Sequence, residues 1–488
     1  MVRLKLSGEA FQYDIISLVK AFYPEEKIAL CRGEDDGGGP LIQVDTGEDA
    51  IRIQVFEEER AAASYEEPVN QKPAADLAYK REYKKLLKKV IYHCLSDYLK
   101  KELPWGTLTG VRPTKLCVDH LEKGFGPEET VQFMEDDYWC SRERAELGTE
   151  IAGREIMLLR DIDYRREYSI YIGIPFCPTT CLYCSFTSYS LADYGQWISQ
   201  YLDCLFREIE AVGRMCRDRK ITAVYVGGGT PTTLNEAQLF ALIRKIKETF
   251  PMSGVREFTV EAGRPDSLTP GKLCLLRDLG VTRISINPQS MQQKTLDLIG
   301  RKHTVEQINE AFAMAREAGH DNINMDLIIG LPGENAKDVA GTLEKMKELG
   351  PDSLTVHALA LKRASALTRD FEQYRDRVPT DTVRMQQETY AFAKEQGYLP
   401  YYLYRQKNMA ENLENIGYAK PGKEGLYNVL IMEEKQTILA CGAGASSKFV
   451  YHDENRIERV ENVKSIRDYL ERVDEMIERK SRKCGDLG

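Results

Sequence analysis

Ser169-Ile-Tyr-Ile-Gly-Ile174-Pro-Phe-Cys177-Pro-Thr-Thr-Cys181-Leu-Tyr-Cys184 decides both the fold and the chemistry of this chain. An uncharged, β-branched and aromatic run ends at a proline, and three cysteines follow at once. A strand that is apolar without alternation is buried on both faces, which is the habit of parallel sheets. Outward from it the same rhythm repeats. Strand-like stretches at 222–226, 257–261, 283–286, 322–329 and 353–357 alternate with helix-like ones near 193–218, 235–249, 269–279, 291–299, 304–319 and 336–349. Apolar strands separated by amphipathic helices specify a parallel sheet with right-handed crossovers. Six such units fall short of the eight that close a barrel. The expected class is therefore α/β, an open, partial (β/α)6 barrel whose chemistry sits on the loops just after the strands.

The flanks read differently. The chain has 488 residues, 42% hydrophobic and 29% charged, which gives it ample core and rules out wholesale disorder. Residues 1–163 read as an accessory α+β domain, 164–375 as the barrel core, and 376–488 as a mostly helical C-terminal region. In the leading part, 2–6, 27–31 and 41–56 have strand character, 35–40 is a turn by composition, and 59–76 reads as an exposed connector. A helix follows with Tyr83, Leu87, Ile91 and Leu95 on one face and Lys80, Arg81, Lys84, Lys85, Lys88 and Lys89 on the other. That basic face is either a dock for an acidic ligand or RNA, or a solvated surface. The tail carries a helix at 381–396, a strand-like 400–404, an apolar and glycine-rich 438–444, and a charged helix at 462–482 that reads as solvated.

Lys and Arg number 67 against 76 Asp and Glu, a net charge of −9. That balance argues against coating nucleic acid or an anionic membrane. The uncharged run from Tyr168 to Ala192 is broken by Pro175 and Pro178 and is no membrane span. The first residues lack an apolar signal core, so a cytoplasmic location is expected. In a reducing compartment a tight cysteine cluster points to metal or catalysis rather than to disulfides.

Cys177, Cys181 and Cys184 are that cluster. Three soft thiolates suit iron–sulfur or zinc, but zinc wants a fourth ligand and usually takes cysteines in two separated pairs, and no second pair exists here. Three ligands on a four-iron cluster leave one iron open. Further along, Gly227-Gly-Gly-Thr-Pro-Thr232 closes the second strand, where glycines let backbone approach a ligand without a Cβ in the way. Glu261 ends the third strand, Gln289 follows the fourth, Asp326 interrupts the fifth, and Arg301 sits in Gly300-Arg-Lys-His303. A charge in an apolar strand is costly unless paired. Structural ion pairs for Glu261 and Asp326, a helix terminus for Arg301 and a turn for Gln289 are the alternatives to a ligand site.

The Cys-x3-Cys-x2-Cys spacing with an aromatic before its last cysteine resembles the signature of the radical S-adenosylmethionine superfamily. Tyr171-Ile-Gly-Ile-Pro-Phe-Cys177 narrows the likeness to the oxygen-independent coproporphyrinogen III oxidase (HemN-like) branch. Trp105-Gly-Thr-Leu-Thr-Gly-Val-Arg-Pro-Thr-Lys115 and Tyr404-Arg-Gln-Lys-Asn-Met409 bring it nearest to HemZ-type members. The resemblance implies a [4Fe-4S] cluster on Cys177, Cys181 and Cys184, with S-adenosyl-L-methionine on its open iron. It implies cofactor contacts from Tyr171, Tyr183, Gly228, Gly229, Thr230, Glu261, Gln289, Arg301, Asp326 and Ala360, Arg301 facing the carboxylate, with the Gly444-Ala-Ser446 turn a further candidate. The activity implied is radical decarboxylation of two propionates of coproporphyrinogen III to vinyl groups, giving protoporphyrinogen IX in haem biosynthesis. The implied partners are a tetrapyrrole substrate and reduced flavodoxin or ferredoxin as electron donor, with no membrane and no nucleic acid.

Two departures matter. HemN-type enzymes have a further cysteine where this chain has Phe186, and haem chaperones of the HemW type share that Phe. Those chaperones also carry His-Asn-x-x-Tyr-Trp, whereas the nearest text here is Leu426-Tyr-Asn-Val-Leu-Ile431. A haem-transfer protein and a radical enzyme for another tetrapyrrole stand as rival readings, and an RNA-modifying enzyme, which gains only from the basic helix, as a third. For the propionates, Lys362, Arg363 and Arg405 are candidate cations, and Tyr401, Tyr402 and Tyr404 either line the macrocycle or pack a strand. The six histidines show no ligand spacing; His357, at a strand end, is the one to watch.

Overall fold

A computed structural model describes residues 1–24, 26–31, 38–69, 77–406 and 413–485. The turn expected at 35–40, the end of the connector at 59–76, the side chains of 77 and 78, and residues 407–409 of the HemZ-like signature fall wholly or partly outside them. The chain forms two compact units, Met1–Gly153 with Leu403–Glu414, and Arg154–Tyr402 with Asn415–Gly488.

In the first unit, strands Val2–Leu6, Ile28–Leu30, Leu41–Thr46, Ala50–Glu57 and Arg60–Pro68 form one sheet. Its core is built from Leu4, Ile42, Val44, Ile51, Ile53 and Val55, covered by Leu18 and Val19 of helix Gln12–Phe22 and by Leu87, Ile91 and Leu95 of helix Leu77–Leu99. The expected connector is in fact the fifth strand, paired antiparallel with Ala50–Glu57. Its alanines and glutamates carry little strand signal because the strand lies at a sheet edge, with few buried positions to reveal its period. The basic face of Leu77–Leu99 is partly consumed within the unit. Lys85 Nζ meets Asp137 at 2.6 Å, and Lys88 Nζ meets Asp14 at 3.2 Å and Thr109 Oγ1 at 3.1 Å. Helices Thr114–Glu122, Pro127–Tyr138 and Arg142–Leu159 follow. The two HemZ-like signatures meet where Arg405 Nη1 donates to the Leu108 carbonyl at 2.8 Å; nearby, Trp105 Nε1 donates to Glu414 at 3.0 Å, and Glu414 pairs with Arg144 at 2.8 Å.

The second unit holds the alternating pattern. Strands β1 (Glu167–Ile174), β2 (Lys220–Gly228), β3 (Glu257–Glu261), β4 (Arg283–Ser285), β5 (Ile323–Ile329) and β6 (Ser353–Ala358) run parallel in sequential order. The crossover helices include Ile198–Met215, Glu236–Thr249, Pro270–Asp278, Val305–Glu317 and Ala336–Leu349. Capping boxes at Asn235, Thr304 and Asn335 start three of them, which is why their boundaries were legible.

The tail is helical at Thr382–Glu395, Leu426–Glu433 and Ile466–Cys484, and it also extends the sheet. It supplies β7 (Leu399–Tyr404), β8 (Asn415–Ala419), β9 (Thr437–Cys441), β10 (Ser446–Tyr451) and β11 (Arg456–Glu461). The resulting order, β7-β8-β6-β5-β4-β3-β2-β1-β9-β10-β11, is open. The apolar and glycine-rich 438–444 is thus a seventh parallel strand and the turn after it, with β9 flanking β1.

The reading of the last helix as merely solvated is corrected. Ile466–Cys484 buries Tyr469, Val473, Met476 and Lys480. Lys480, fully buried, donates to the buried Glu208 carboxylate at 2.6 Å. Glu208 also accepts from Tyr469 at 2.6 Å, Asn462 at 2.8 Å and the Gly442 amide at 2.7 Å, so each of its lone pairs is used. Removing one member of a buried, fully bonded pair strands the other charge, at about 3–5 kcal/mol. Lys480→Met should therefore lower stability by about that much in urea unfolding, and adding Glu208→Gln should recover part of the loss.

Candidate active site and cofactor cradle

The cysteine loop begins where β1 ends and is held mainly by main chain. The Gly229 amide donates to Ile174 O at 2.8 Å, Thr230 N to Phe176 O at 2.7 Å, and Leu182 N to Ile299 O at 2.9 Å. A Cβ on Gly229 would stand 2.6 Å from Phe176 O and 2.9 Å from Ile174 O. Gly228 has φ +108, and its Cβ would meet the Tyr171 hydroxyl at 3.1 Å. The Gly-rich turn therefore serves the close packing of two backbones before it serves any ligand. From the other side, the turn after β9 presses on the loop: a Cβ on Gly444 would lie 2.6 Å from Thr187 Oγ1, and one on Gly442 2.5 Å from Gly173 O.

The thiols of Cys177, Cys181 and Cys184 are partly buried and interact with one another. Burial, then the neighbouring thiols, push Cys177 up to about 11, against a donated hydrogen bond from Thr230 Oγ1 at 3.6 Å. Burial raises Cys184 as well. Among the described residues no three His, Cys, Asp or Glu side chains crowd together as ligands of one metal ion.

Arg301 is 3% exposed, and among the described residues no carboxylate pairs with it. It donates to Tyr183 Oη at 3.1 Å, to Gly263 O at 2.9 Å and to Asn287 O at 2.6 Å, while its Nε has no partner. A buried guanidinium whose hydrogen bonds all go to neutral acceptors keeps the capacity to pair with an anion. Gln289 makes a similar case. It is buried, its backbone sits at φ +66, and its Oε1 is unpartnered. Left-handed backbone on a residue that is not glycine is sparsely populated and costs about 1–3 kcal/mol. Bonds from Gln289 N to Asp326 O and from Ile328 N to Gln289 O hold it there, each at 2.9 Å.

Across the strand ends two carboxyls are driven apart. Burial, with the nearby Asp326 charge adding to it, raises Glu261 to about 7, although Tyr225 Oη donates to it at 2.5 Å and Gly228 N at 3.2 Å. Burial would also raise Asp326. Hydrogen bonds from His357, Asn324 and Thr355 and the His357 charge outweigh that and hold it below the usual carboxylate range. Tyr171, Tyr225 and Tyr427 stack beside Glu261, with Tyr225 and Tyr427 centroids 4.5 Å apart. Ala360 lies just beyond β6.

The candidate substrate groups fare unevenly. Tyr401 and Tyr402 are packed core, with Tyr402 lying against Gly417. Arg405 is buried and bonded to main chain in the first unit. Lys362 is half-buried and Arg363 exposed. The sequence reading missed Tyr225 and Tyr427, and it missed Arg264, Asp266 and His303 beside the cysteine loop. His303 is fully buried with neither ring nitrogen bonded, and burial followed by the Arg301 and Arg264 charges lowers it to about 3. Its place two residues after Arg301 was the available signal.

Comparison with known proteins settles the family. The model of the radical SAM superfamily matches residues 171–346. The chain is 44% identical over 381 residues to the oxygen-independent coproporphyrinogen-III oxidase-like protein HemZ of Bacillus subtilis, covering 77% of this chain and 76% of that one. The chain belongs to the radical SAM superfamily, in its HemN-like branch. The haem chaperone HemW of Bacillus subtilis is 30% identical over 278 residues, 57% of this chain and 70% of its own. The solved structure of Escherichia coli HemN, a coproporphyrinogen III oxidase and radical SAM enzyme, superposes with a TM-score of 0.52 at 26% identity, covering 66% of this chain and 72% of that one. Members of this superfamily use a [4Fe-4S] cluster and S-adenosyl-L-methionine. The three thiols, the open Arg301 Nε and the orphaned Gln289 Oε1 fit that pair.

Gly229→Ala tests the backbone packing. The added methyl overpacks a contact with main chain and should cost about 1–3 kcal/mol. Iron retained after anaerobic reconstitution should fall while the far-ultraviolet spectrum stays native.

Proposed function

We propose that this chain is an oxygen-independent coproporphyrinogen III dehydrogenase, converting two propionates of its substrate to vinyl groups with loss of carbon dioxide. The observation that carries the reading is the 44% identity to the HemZ protein over most of both chains, joined to a site whose buried cation has no anion of its own. In the proposed site Cys177, Cys181 and Cys184 hold the cluster, and Arg301 receives the S-adenosylmethionine carboxylate. Gln289 accepts at its free Oε1, and Tyr171, Gly228, Gly229 and Thr230 wall the site. Glu261 and Asp326 supply carboxylate acceptors on the strand side, and Tyr183 and Ala360 complete the set. When bound, the pair would supply a deoxyadenosyl radical that takes one hydrogen atom beside a propionate; loss of carbon dioxide to leave the vinyl group then releases one further electron, which a one-electron acceptor takes up. Around it, Arg301 and Tyr183 orient the carboxylate end, and the Tyr171–Tyr225–Tyr427 stack shields one side from water. A reduced flavodoxin or ferredoxin is the proposed donor.

A haem-chaperone role is the second reading, favoured by Phe186 at the position of the fourth HemN cysteine and by the HemW relative. Anaerobic incubation with coproporphyrinogen III and S-adenosylmethionine separates the two. The dehydrogenase yields vinyl porphyrinogen and 5′-deoxyadenosine in step. Stoichiometric haem binding with no vinyl product overturns the enzymatic proposal in favour of the chaperone.

Glu261 gives a pH signature. Its raised carboxyl is protonated in the ligand-free protein below about 7, and a cationic sulfonium with ribose hydroxyls prefers the ionised form. Affinity for S-adenosylmethionine should rise between pH 6 and 8, and Glu261→Gln should flatten that rise. Its effect on stability has the opposite sense. A carboxyl raised on folding favours the fold fully below its ordinary value, and that contribution is lost as pH climbs through about 7.

A further inference from the structure

Arg264 stands in Glu261-Ala-Gly-Arg264-Pro-Asp266, just past the end of β3, and is 4% exposed. Its fork is fully committed. Nε and Nη2 donate to the two oxygens of Asp266 at 2.9 and 2.7 Å, while Nη1 donates to Thr179 Oγ1 at 3.1 Å and reaches Cys181 Sγ at 3.9 Å. Asp266 is the brace: a bidentate carboxylate fixes the plane of the guanidinium and leaves its last nitrogen aimed at the cysteine loop. The turn that carries it is itself stitched down. Ser267 Oγ donates to Arg264 O at 2.6 Å and lies 2.7 Å from Thr232 Oγ1, and Lys272 Nζ bonds both Thr232 O and Ser267 O. Nothing in this network needs a thiol partner for its own stability.

We propose that Arg264, braced by Asp266, is a positioning residue that raises the reduction potential of the cluster through Cys181. The inference rests on the reading that Cys177, Cys181 and Cys184 hold that cluster. The physical ground is charge. Arg264 and Arg301 bring two buried cations to the loop, and Asp266 offsets one, which leaves an excess of positive charge beside the thiolates. One-electron reduction adds negative charge to the cluster, and a fixed cation nearby stabilises the reduced form. Thr230 Oγ1, 3.6 Å from Cys177 Sγ, acts in the same sense more weakly. The electron itself comes from a low-potential one-electron donor, and Arg264 transfers nothing.

A loop clamp through Thr179 would be the purely structural role for Arg264, so the test separates charge from anchoring. Wild type, Arg264→Gln, Arg264→Lys and Thr179→Val are reconstituted without air. Iron per chain is measured, and the cluster is titrated by electron paramagnetic resonance against dithionite-poised mediators. At a fixed potential the reduced-to-oxidised ratio should fall about tenfold in Arg264→Gln, which is about 59 mV for a one-electron couple. It should fall less in Arg264→Lys, which keeps the charge, and stay within about threefold of wild type in Thr179→Val, which loses only the anchor. Arg264→Gln with a full cluster and an unmoved potential overturns the inference. So does loss of iron from both Arg264 variants with native circular dichroism, since the residue is then a clamp. Failure of the wild type to take up iron overturns the cluster assignment itself, a distinct result.

Discussion

The site depends on keeping still a loop that offers the core almost nothing. Cys177-Pro-Thr-Thr-Cys181 has Pro178 as its one apolar side chain, and that is only half-buried, so hydrophobic packing alone cannot place it. Ordering each residue costs about 1–2 kcal/mol and a net hydrogen bond returns about 1 kcal/mol. Hydrogen bonds hold it instead, mostly from its two ends: Ile174 and Phe176 against the Gly-rich turn on one side, Leu182 against Ile299 on the other, and Thr179 Oγ1 donating to Gly300 O at 3.0 Å from within. Backbone can reach backbone only where no Cβ intervenes, and this is why glycines stand at Gly229 and Gly442, while Gly444 leaves room for the Thr187 side chain.

The charges around the loop are arranged with a polarity. On the loop side sit two buried guanidinium groups, Arg264 and Arg301, with Asp266 paired to Arg264. On the strand side sit Glu261 and Asp326. One half thus favours anions and the other favours cations and hydroxyl donors. A zwitterionic ligand that also carries a ribose is matched by both halves at once, whereas a simple phosphate or a simple amine is matched by one. Burying either half alone would be expensive, and the unpartnered Nε of Arg301 and Oε1 of Gln289 mark where that cost is left open for a ligand to offset.

How much of this was legible follows from where each residue's signal originates. The parallel strands announced themselves because burial on both faces demands uninterrupted apolar runs, and their helices because capping residues mark the starts. Strand Arg60–Pro68 and β9 were obscure for opposite reasons: the first is an edge rich in alanine and charge, and the second is a short apolar run ending in glycines that resembles a turn. The cysteines, Arg301 and Gln289 stood out by type and place. Arg264, Asp266 and His303 did not. An arginine two residues before an aspartate in a turn is ordinary text, and only burial and the direction of a fork distinguish it. Tyr427 was hidden differently, since its stacking on Tyr225 joins positions far apart in the chain.

The least promising segment of the sequence illustrates the same limit. A helix with balanced charge looked detached, yet Lys480 reaches a buried carboxylate on Ile198–Met215. That carboxylate grips the Gly442 amide, and the turn it begins lies against Gly173 and Thr187, on either side of the cysteines. Tyr201 closes the circuit, donating to Gly173 O at 2.6 Å and accepting from Ala443 N at 3.0 Å. The bonds through Lys480, Glu208 and Tyr201 are polar, short and buried, so a displacement at the helix is not absorbed by sliding, as it would be in an aliphatic contact. The end of the chain is therefore mechanically part of the cysteine loop's support, although no residue of that helix resembles a catalytic one.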